Sequence, residues 1–294
     1  VGAAPCSSTP SPESPGSILK HKVHAMPFTS HARLAGALLP SLAEAARVIL
    51  STREQGLVVD RKSDNSPVTE ADRRAEAILT RAINDILPGL PVVAEESSAA
   101  GSAPPIGTTF ILLDPLDGTR DYCAGRDDFT VNVGLIDDGR PVFGLIYAPA
   151  HRELYLTSAP GEAVAASFDC TSPRALSDLD LQKLHVRTGQ TGRLSALVSR
   201  REAGTEFDDR LQRLGVTSRT PMSSAIKFGH LVRGDADIYP RFGPTCEWDT
   251  AAGQAIVEAA GGTVTALDGS PMIYGKSEAK FLNGPFVARG RIAD

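Results

Sequence analysis

The spacing of apolar residues predicts two long helices near the start of the chain. Over residues 31–54, apolar side chains recur every three to four positions, which is the period of one face of an amphipathic helix. These positions are Leu34, Leu38, Leu42, Ala45, Ala46 and Ile49. The same period over residues 69–86 predicts a second helix, which Pro88-Gly89 ends. The polar stretch at residues 62–67 predicts a turn between the two helices.

Short apolar runs predict strands in the middle of the chain. Residues 92–93 and 109–113 each form an apolar run that leads directly into an acidic residue. Residues 129–136 alternate, turn at Asp138-Gly139 and return over residues 141–147, which is the pattern of a β-hairpin. A further strand is predicted at residues 153–157, whereas residues 159–183 are weakly patterned and are interpreted as a connection.

Strands and helices alternate in the second half of the chain. We predict strands at residues 194–199, 236–239 and 263–267, and helices at residues 206–214, 224–232 and 249–260. Alternation of this kind is typical of an α/β arrangement. The first half is better described as α+β, with helices on an antiparallel sheet. The fold class is therefore α/β, with an α+β N-terminal half and an α/β C-terminal half.

The composition divides the chain into three parts. Residues 1–30 are rich in Pro, Ser, Gly and Ala and show no helical or strand period, so we predict a disordered N-terminal extension, with Met26 as the candidate natural start. The remaining patterns predict an α+β domain over residues 31–175 and an α/β domain over residues 176–294.

Charge and cysteine content exclude several classes of protein. About 41% of residues are apolar and 22% are charged, as in an ordinary globular protein. The formal net charge of −5 and the low aromatic content argue against nucleic-acid binding. The four cysteines are scattered without metal-site spacing, which favours free thiols in a reducing cytoplasm. No apolar run reaches the length of a membrane span, so we predict no integral membrane segment.

Two carboxylates stand at the end of one predicted strand. The apolar run 109–113 leads into Asp114-Pro-Leu-Asp117, and Gly118 follows. Side chains held this close repel each other unless a cation lies between them. Mg²⁺ prefers such oxygen ligands together with water and substrate phosphate. Taken alone, however, the pair is explained equally well as a turn that ends a strand.

Two other acidic segments change this balance. Glu95-Glu96 also follows a short apolar strand, and Trp248-Asp249 opens a predicted helix. Each feature alone fits a structural role, since aspartate is a common N-cap. Their occurrence together with Asp114 and Asp117 favours a metal site built from carboxylates.

Four segments resemble, in order, the motifs of the inositol monophosphatase superfamily of metal-dependent, lithium-sensitive phosphatases. They are Asn65-Ser-Pro-Val-Thr-Glu-Ala-Asp72, Ala94-Glu-Glu-Ser97, Asp114-Pro-Leu-Asp-Gly-Thr119, and Trp248-Asp-Thr-Ala-Ala-Gly253 continuing to Glu258-Ala-Ala-Gly-Gly262. The resemblance covers nearly the whole chain after residue 30. It implies a layered αβαβα sandwich of the inositol monophosphatase and fructose-1,6-bisphosphatase type, with metal bound by domain 31–175 and substrate by domain 176–294.

The resemblance also implies a mechanism. The ligands of two or three Mg²⁺ ions would be Glu95, Asp114, Asp117, Asp249 and the backbone carbonyl of Leu116. A water activated by the metal would be the nucleophile, and Asp72 and Thr119 would position and deprotonate it. Backbone donors after Gly118 would bind the phosphate.

Substrate preference is implied by segments in the second half. By resemblance, Arg241 replaces a glutamate that accepts hydrogen bonds from inositol hydroxyls in inositol monophosphatases. Arginine only donates, and its planar fork suits a second phosphate or a base. Ser224 and Lys227 would form an anion site one helical turn long. On spacing alone, Ser224 and Lys227 also fit an N-cap and a solvated lysine, and Arg241 also fits a surface ion pair.

These segments resemble the bacterial 3′(2′),5′-bisphosphate nucleotidases. The expected substrate is adenosine 3′,5′-bisphosphate, hydrolysed at the 3′ position to AMP and phosphate, which clears a by-product of sulfate assimilation. The expected substrate contacts are Gly118, Thr119, Ser199, Arg200, Ser224, Lys227, Arg241 and Asp249.

Two other functions stay open at the level of the sequence. One is a related phosphatase acting on inositol monophosphate, histidinol phosphate or another sugar or polyol phosphate. The other is a metal-dependent nucleotide-binding module without catalysis, which the presence of both Asp72 and Thr119 argues against. We expect a monomer or homodimer in the cytoplasm, with peripheral binding to the inner membrane as an alternative.

Overall fold

The computed structural model describes residues 1–2, 30–62 and 66–293. The predicted N-terminal extension therefore lies almost entirely outside the described residues, and so does Asn65 of the first motif.

The described residues form seven α-helices. They are α1 (His31–Gln55), α2 (Glu70–Ile86), α3 (Glu95–Ala99), α4 (Thr119–Cys123), α5 (Thr205–Arg213), α6 (Ile226–Val232) and α7 (Glu247–Ala259). Short 3₁₀ helices lie at Leu176–Asp178 and Ser277–Ala279.

Eighteen strands are described. In chain order they are β1 (Val59–Arg61), β2 (Pro67–Thr69), β3 (Val92–Ala94), β4 (Thr109–Asp117), β5 (Thr130–Asp137), β6 (Arg140–Ala148), β7 (Glu153–Ala159), β8 (Glu162–Ser167), β9 (Gln182–Lys183), β10 (Thr188–Gln190), β11 (Leu194–Ser199), β12 (Val216–Met222), β13 (Ile238–Arg241), β14 (Thr245–Cys246), β15 (Thr263–Ala266), β16 (Leu282–Asn283), β17 (Phe286–Arg289) and β18 (Arg291–Ala293).

The larger sheet has seven strands in the order β3-β4-β5-β6-β7-β8-β9. Strands β3 and β4 run parallel, and every later neighbouring pair is antiparallel. The predicted hairpin is β5 and β6. From β4 onward each strand pairs with the next strand in the chain, so this part of the sheet is a meander. The predicted acidic residues lie at the ends of β3 and β4, near the other edge of the sheet.

Helices α1 and α2 cover one face of this sheet. Their apolar sides pack against alternate residues of the strands, such as Leu113, Val133 and Leu145, all of which are buried. The side chain of Ser30 caps α1, and Thr69 caps α2 with Asp72 completing the capping box. α1 is the one described helix that is long and apolar enough to cross a membrane, and half of its most apolar window is buried in this layer.

Helices α6 and α7 cover the opposite face. Glycines on β5 and β6 allow α7 to approach closely, since a Cβ atom on Gly144 would lie 2.1 Å from the carbonyl oxygen of Ala252. Gly253 on α7 in turn makes room for the ring of Phe228 on α6. This close packing fixes the start of α7 relative to the larger sheet.

The second sheet has the order β12-β11-β13-β17-β15 and mixes parallel and antiparallel neighbours. Its inner face, including Leu197, Tyr239 and Phe286, packs against α6 and α7. Its outer face packs against α5 through Phe207 and Leu211. The layers are thus α1/α2, larger sheet, α6/α7, second sheet and α5, which confirms the predicted αβαβα sandwich.

The interpretation of residues 159–183 as a connection was wrong. It contains β8 and β9, which extend the larger sheet, and the 3₁₀ helix at Leu176–Asp178. Strand β8 consists mainly of alanine with a single valine, so its buried positions give little hydrophobic contrast. The division into domains at residue 175 stays a prediction.

Candidate active site

Asp114 and Asp117 lie at the end of β4, where the strand departs from regular pairing. β4 pairs with β5 through Asp114, and the register shifts between Asp114 and Asp117. The backbone N–H of Leu116 donates to Asp114 Oδ1 at 3.0 Å. The irregular segment therefore turns the two carboxylates toward a common side instead of alternating them across the sheet.

Glu95 reaches the same place from the neighbouring strand. β3 runs parallel to β4 and ends at Ala94, so Glu95 begins α3 beside Asp114. Helix α3 is only five residues long, and its first turn is held by Glu76 of α2. The Glu76 carboxylate accepts the backbone N–H groups of Glu96 at 2.7 Å and Ser97 at 2.9 Å.

Asp249 comes from α7, far away in the chain. It stands in the first turn of α7, where its Oδ2 accepts the backbone N–H of Cys246 at 2.8 Å. One carboxylate oxygen each from Glu95, Asp114 and Asp249 lie within 4.8 Å of one another. The fold thus brings three of the four predicted acidic ligands into one cluster.

The electrostatics of this cluster fit a cation. Burial raises the pKa of Asp114 well above its usual value, and repulsion from Glu95, Asp117 and Asp249 adds to the effect. Burial, followed by repulsion from Asp117 and Glu95, also raises the pKa of Asp249. Asp114 Oδ2 is buried without a hydrogen-bond partner among the described residues. Unpartnered carboxylate oxygens that repel one another are suited to a hard divalent cation.

Asp117 lies at the border between this cluster and a cationic region. Its Oδ2 accepts the backbone N–H of Ala225 at 2.6 Å. Burial raises its pKa, and the positive charge of Lys227 offsets part of this increase. Asp117 is therefore oriented by the segment before α6 and lies outside the three-residue cluster.

Lys62 provides the positive charge nearest to Glu95. Its ammonium nitrogen lies 2.5 Å from Glu95 and 2.8 Å from Glu96. Burial alone would lower the pKa of Lys62, but the two carboxylates outweigh it and raise that pKa. Burial and repulsion from Glu95 raise the pKa of Glu96 to about 8. The sequence reasoning gave Lys62 no role in the site.

Asp72 and Thr119 form the predicted hydrogen-bonded pair. Thr119 Oγ1 lies 3.0 Å from Asp72 Oδ1 and also 3.0 Å from the carbonyl oxygen of Leu116. The other oxygen of Asp72 accepts the hydroxyl of Thr69 at 2.6 Å and its backbone N–H at 2.8 Å. Burial raises the pKa of Asp72, which these hydrogen bonds partly offset.

Gly118 allows two loops to meet beside the pair. It has φ +93°, and a Cβ atom there would lie 2.9 Å from the carbonyl oxygen of Asp128 and 3.3 Å from Ser224 Cβ. Ser224 itself has φ +52°, an uncommon conformation for a residue with a side chain. The turn after Asp117 is thus packed directly against the segment that leads into α6.

Lys227 and Arg241 lie on the cationic side. Lys227 is buried, and its ammonium group donates to the carbonyl oxygen of Ser224 at 2.6 Å. Burial lowers the pKa of Lys227 to about 8. Arg241 lies 3.8 Å from Glu202, which also accepts the backbone N–H groups of Phe242 and Gly243.

One cleft of about 240 Å³ unites the acidic and cationic sides. Of the predicted site residues, those that line it are Glu95, Asp114, Leu116, Asp117, Gly118, Thr119, Ser199, Ser224, Lys227, Arg241 and Asp249. Asp72 lies behind Thr119. Arg200 does not line the cleft, because its guanidinium forms an ion pair with Asp128.

The cleft also contains residues that the sequence reasoning did not select. They include Arg120, Arg201, Ser223, Tyr239 and Thr245. Arg120 directly follows the Asp-Pro-Leu-Asp-Gly-Thr motif, so its position in the chain could have identified it. Arg201 could not be distinguished from Arg200 without knowing which of the two binds Asp128.

Comparison with known proteins gives a consistent result. The model of the inositol monophosphatase family matches residues 32–289. The 3′(2′),5′-bisphosphate nucleotidase CysQ of Escherichia coli strain K12 is 36% identical over 225 residues, which are 76% of this chain and 86% of that protein. CysQ of Buchnera aphidicola is 33% identical over 231 residues, which are 78% of this chain and 83% of that protein.

Solved structures show the same relationship. CysQ from Bacteroides thetaiotaomicron, described as a bacterial member of this family, superposes with a TM-score of 0.70 at 30% identity, covering 88% of this chain and 98% of that one. An inositol monophosphatase from Anabaena gives a TM-score of 0.66 at 24% identity, covering 88% of this chain and 91% of that one, and at that identity supports the fold alone.

Proposed function

Because the chain belongs to the inositol monophosphatase family, we propose that it is a Mg²⁺-dependent phosphomonoesterase that removes the 3′-phosphate of adenosine 3′,5′-bisphosphate to give AMP and phosphate. The observation that carries this proposal is the cleft in which a carboxylate cluster faces lysine and arginine side chains. Such a site can hold a divalent cation on one side and a multiply phosphorylated molecule on the other.

In this proposal the acidic residues of the cleft hold two or three Mg²⁺ ions. Glu95, Asp114 and Asp249 would hold one of them, and Asp117 with the carbonyl of Leu116 would extend the site along the end of β4. A bound cation supplies Lewis-acid charge to the phosphoryl oxygens and lowers the pKa of a coordinated water. The partnerless oxygen of Asp114 and the repulsion among the acids support this assignment over a purely structural one.

Asp72 and Thr119 would move the proton of the attacking water. Thr119 Oγ1 faces the cleft and lies 3.0 Å from Asp72 Oδ1, so it can accept a proton from water and pass its own to Asp72. Burial raises the pKa of Asp72, which makes the carboxylate a better proton acceptor than an exposed aspartate. Because Thr69 fixes the other oxygen, Oδ1 stays directed at Thr119.

The nucleotide assignment rests on the relatives and on the cationic side. The relatives named CysQ are bisphosphate nucleotidases, and Arg241, Lys227 and Ser224 line the same cleft as the acids. Arg241 Nε and Thr245 Oγ1 are buried without hydrogen-bond partners among the described residues. Both atoms are available to a substrate that carries hydrogen-bonding groups beyond the phosphate.

The test is phosphate release from four substrates, each with Mg²⁺ and with EDTA. They are adenosine 3′,5′-bisphosphate, inositol 1-phosphate, histidinol phosphate and fructose 1,6-bisphosphate. We expect the highest kcat/KM with the bisphosphate nucleotide and loss of activity in EDTA. Mg²⁺-dependent preference for another ester would contradict the substrate, and binding of the nucleotide without any phosphate release would support the binding-module alternative.

Several expectations stay predictions beside this proposal. They are the role in sulfate assimilation, the cytoplasmic location, the monomeric or dimeric state, and the contact of Ser199 and Arg200 with substrate. The ion pair of Arg200 with Asp128 makes Arg200 the weakest of the predicted contacts.

A further inference from the structure

Strand β5 carries a polar side chain directly beside the acidic cluster. Asn132 pairs in register with Asp114 on β4 and with Ile146 on β6, so the three side chains lie on the same face of the larger sheet. Gly134, two residues further along β5, is on that face and packs against Ala251 of α7. Asn132 therefore lies in the layer between the sheet and α7, where only 1% of it is exposed.

The amide of Asn132 has no hydrogen bond that accounts for its burial. Among the described residues, neither its oxygen nor its nitrogen has a partner, and the buried hydroxyl of Thr130 on the same strand has none either. Burying an unpaired amide beside an apolar side chain such as Ile146 costs free energy. Such a group in a folded protein therefore points to an interaction beyond those that hold the fold together.

Asp117 is the acidic group on which this amide acts. Burial is the main influence on the pKa of Asp117 and raises it, whereas the amide of Asn132 is among the groups that lower it. The amide is thus close to Asp117, although the contact falls outside strict hydrogen-bond geometry. The backbone N–H of Ala225 holds Asp117 Oδ2 at 2.6 Å, and a second donor would fix the rotation of the carboxylate group.

We propose that Asn132 is a positioning residue, which donates its amide to Asp117 and holds this carboxylate toward the divalent cation. This rests on the proposed function, from which it takes the cation, and adds a residue that does not itself line the cleft. A neutral amide suits the role because it orients the carboxylate without neutralising its charge, as a lysine or arginine in the same place would do. Residues that orient metal ligands commonly change metal affinity by about 10–100-fold.

The experiment measures the Kd for Mg²⁺ by isothermal titration calorimetry in Asn132→Leu and Asn132→Ala. Both variants lose the amide, but leucine keeps its branched shape whereas alanine leaves a cavity. We expect both to raise Kd about tenfold. The Mg²⁺ concentration for half-maximal activity should rise in parallel, with kcat at saturating Mg²⁺ close to wild type. Thr80→Val is the control, because it removes a buried hydroxyl that has no partner in the described part of the chain and lies on α2, away from the cleft.

The same titrations in an Asp117→Asn background separate orientation of this carboxylate from general packing. In that background we expect neither Asn132 variant to raise the Kd for Mg²⁺ further, because the carboxylate that Asn132 orients is gone. An equal increase in both backgrounds would overturn the proposal, since Asn132 would then act by another route.

The outcomes also separate this inference from the proposed function. If the wild-type protein binds Mg²⁺ and neither Asn132 variant changes Kd, the role of Asn132 is wrong and the proposed function stands. An increase in only one of the two variants would show an effect of packing and would also overturn the role. If the wild-type protein binds no Mg²⁺, the metal-dependent function and the role of Asn132 are both wrong.

Discussion

At the scale of single residues, the carboxylate of Asp128 contacts residues from three different segments beside the cleft. Its carboxylate binds the guanidinium of Arg200, lies 3.5 Å from His151 Nε2 and accepts the backbone N–H of Ser223 at 3.4 Å. The hydrogen bond to Asp128 is the main reason why the pKa of His151 is raised, and burial opposes it. Protonated His151 therefore stabilises the segment that carries Ser223.

This arrangement predicts a pH-dependent effect of His151→Gln. The pKa of His151 is higher in the folded than in the unfolded protein, so its stabilisation is complete below about pH 6.5 and is lost as pH rises through the folded pKa. We expect the variant to lower the melting temperature at pH 5.5 by more than at pH 9. Thermal unfolding at both values measures this. The same substitution in an Asp128→Asn background should show no such difference, and an equal loss at both pH values would contradict the ion pair.

The sequence identifies residues whose role is visible from their immediate neighbours. Glu95 and Asp114 follow apolar strands, and Asp249 opens a helix, so each was selectable from local pattern and family motif. Glu76 was not, because its partners are backbone N–H groups about twenty positions away that only the packing of α2 and α3 brings near. Arg201 was missed for the same reason, since the charged groups around it include Arg120, Asp121 and Arg241, which come from distant parts of the chain.

At the scale of elements, α3 depends on its neighbour. A five-residue helix is not stable by itself, and the Glu76 carboxylate accepts two of its free N–H groups and the hydroxyl of Ser97. The first residue of α3 is Glu95, so the orientation of a metal ligand depends on this contact. Residues beyond the ligands commonly orient them in metal sites.

We expect Glu76→Gln to raise the Mg²⁺ concentration needed for half-maximal activity several-fold, with kcat at saturating Mg²⁺ close to wild type. The carbonyl oxygen of a glutamine can still accept hydrogen bonds, but the NH₂ group that replaces the other carboxylate oxygen cannot. Titration of activity with Mg²⁺ measures the effect. Glu70→Gln, at the exposed start of the same helix, is the control. A loss of thermal stability with an unchanged Mg²⁺ requirement would limit Glu76 to a structural role.

Whether the sequence predicts an element depends on whether that element has a clearly apolar face of its own. Strand β11 and helices α1 and α2 were placed nearly to the residue, because each has one clearly apolar face. Strand β12 was missed, since it is an edge strand with mostly exposed residues and a polar sequence. Its position depends on parallel pairing with β11, which a local pattern does not contain.

At the scale of the whole molecule, the carboxylate cluster opposes folding when no cation is bound. Glu95 and Asp114 come from the larger sheet and its edge, whereas Asp249 comes from the helix layer between the sheets. The close packing of β6 against α7 at Gly144 therefore holds Asp249 near Asp114 and Glu95, although these carboxylates repel one another. A cation that binds all three would join the sheet to the helix layer and stabilise the complete fold.

Mg²⁺ should consequently raise the melting temperature of the wild-type protein above its value in EDTA. At a Mg²⁺ concentration about a hundredfold above Kd the stabilisation is about 2.7 kcal/mol, which corresponds to roughly 5–10 °C in a domain of this size. Asp249→Asn removes one repelling charge and can keep its hydrogen bond to Cys246, so in EDTA this variant should melt at or above the wild-type temperature. Its activity and its response to Mg²⁺ should both be much reduced. An equal Mg²⁺-induced shift in the variant would show that Asp249 is not a ligand, and no shift in the wild-type protein would contradict the metal site itself.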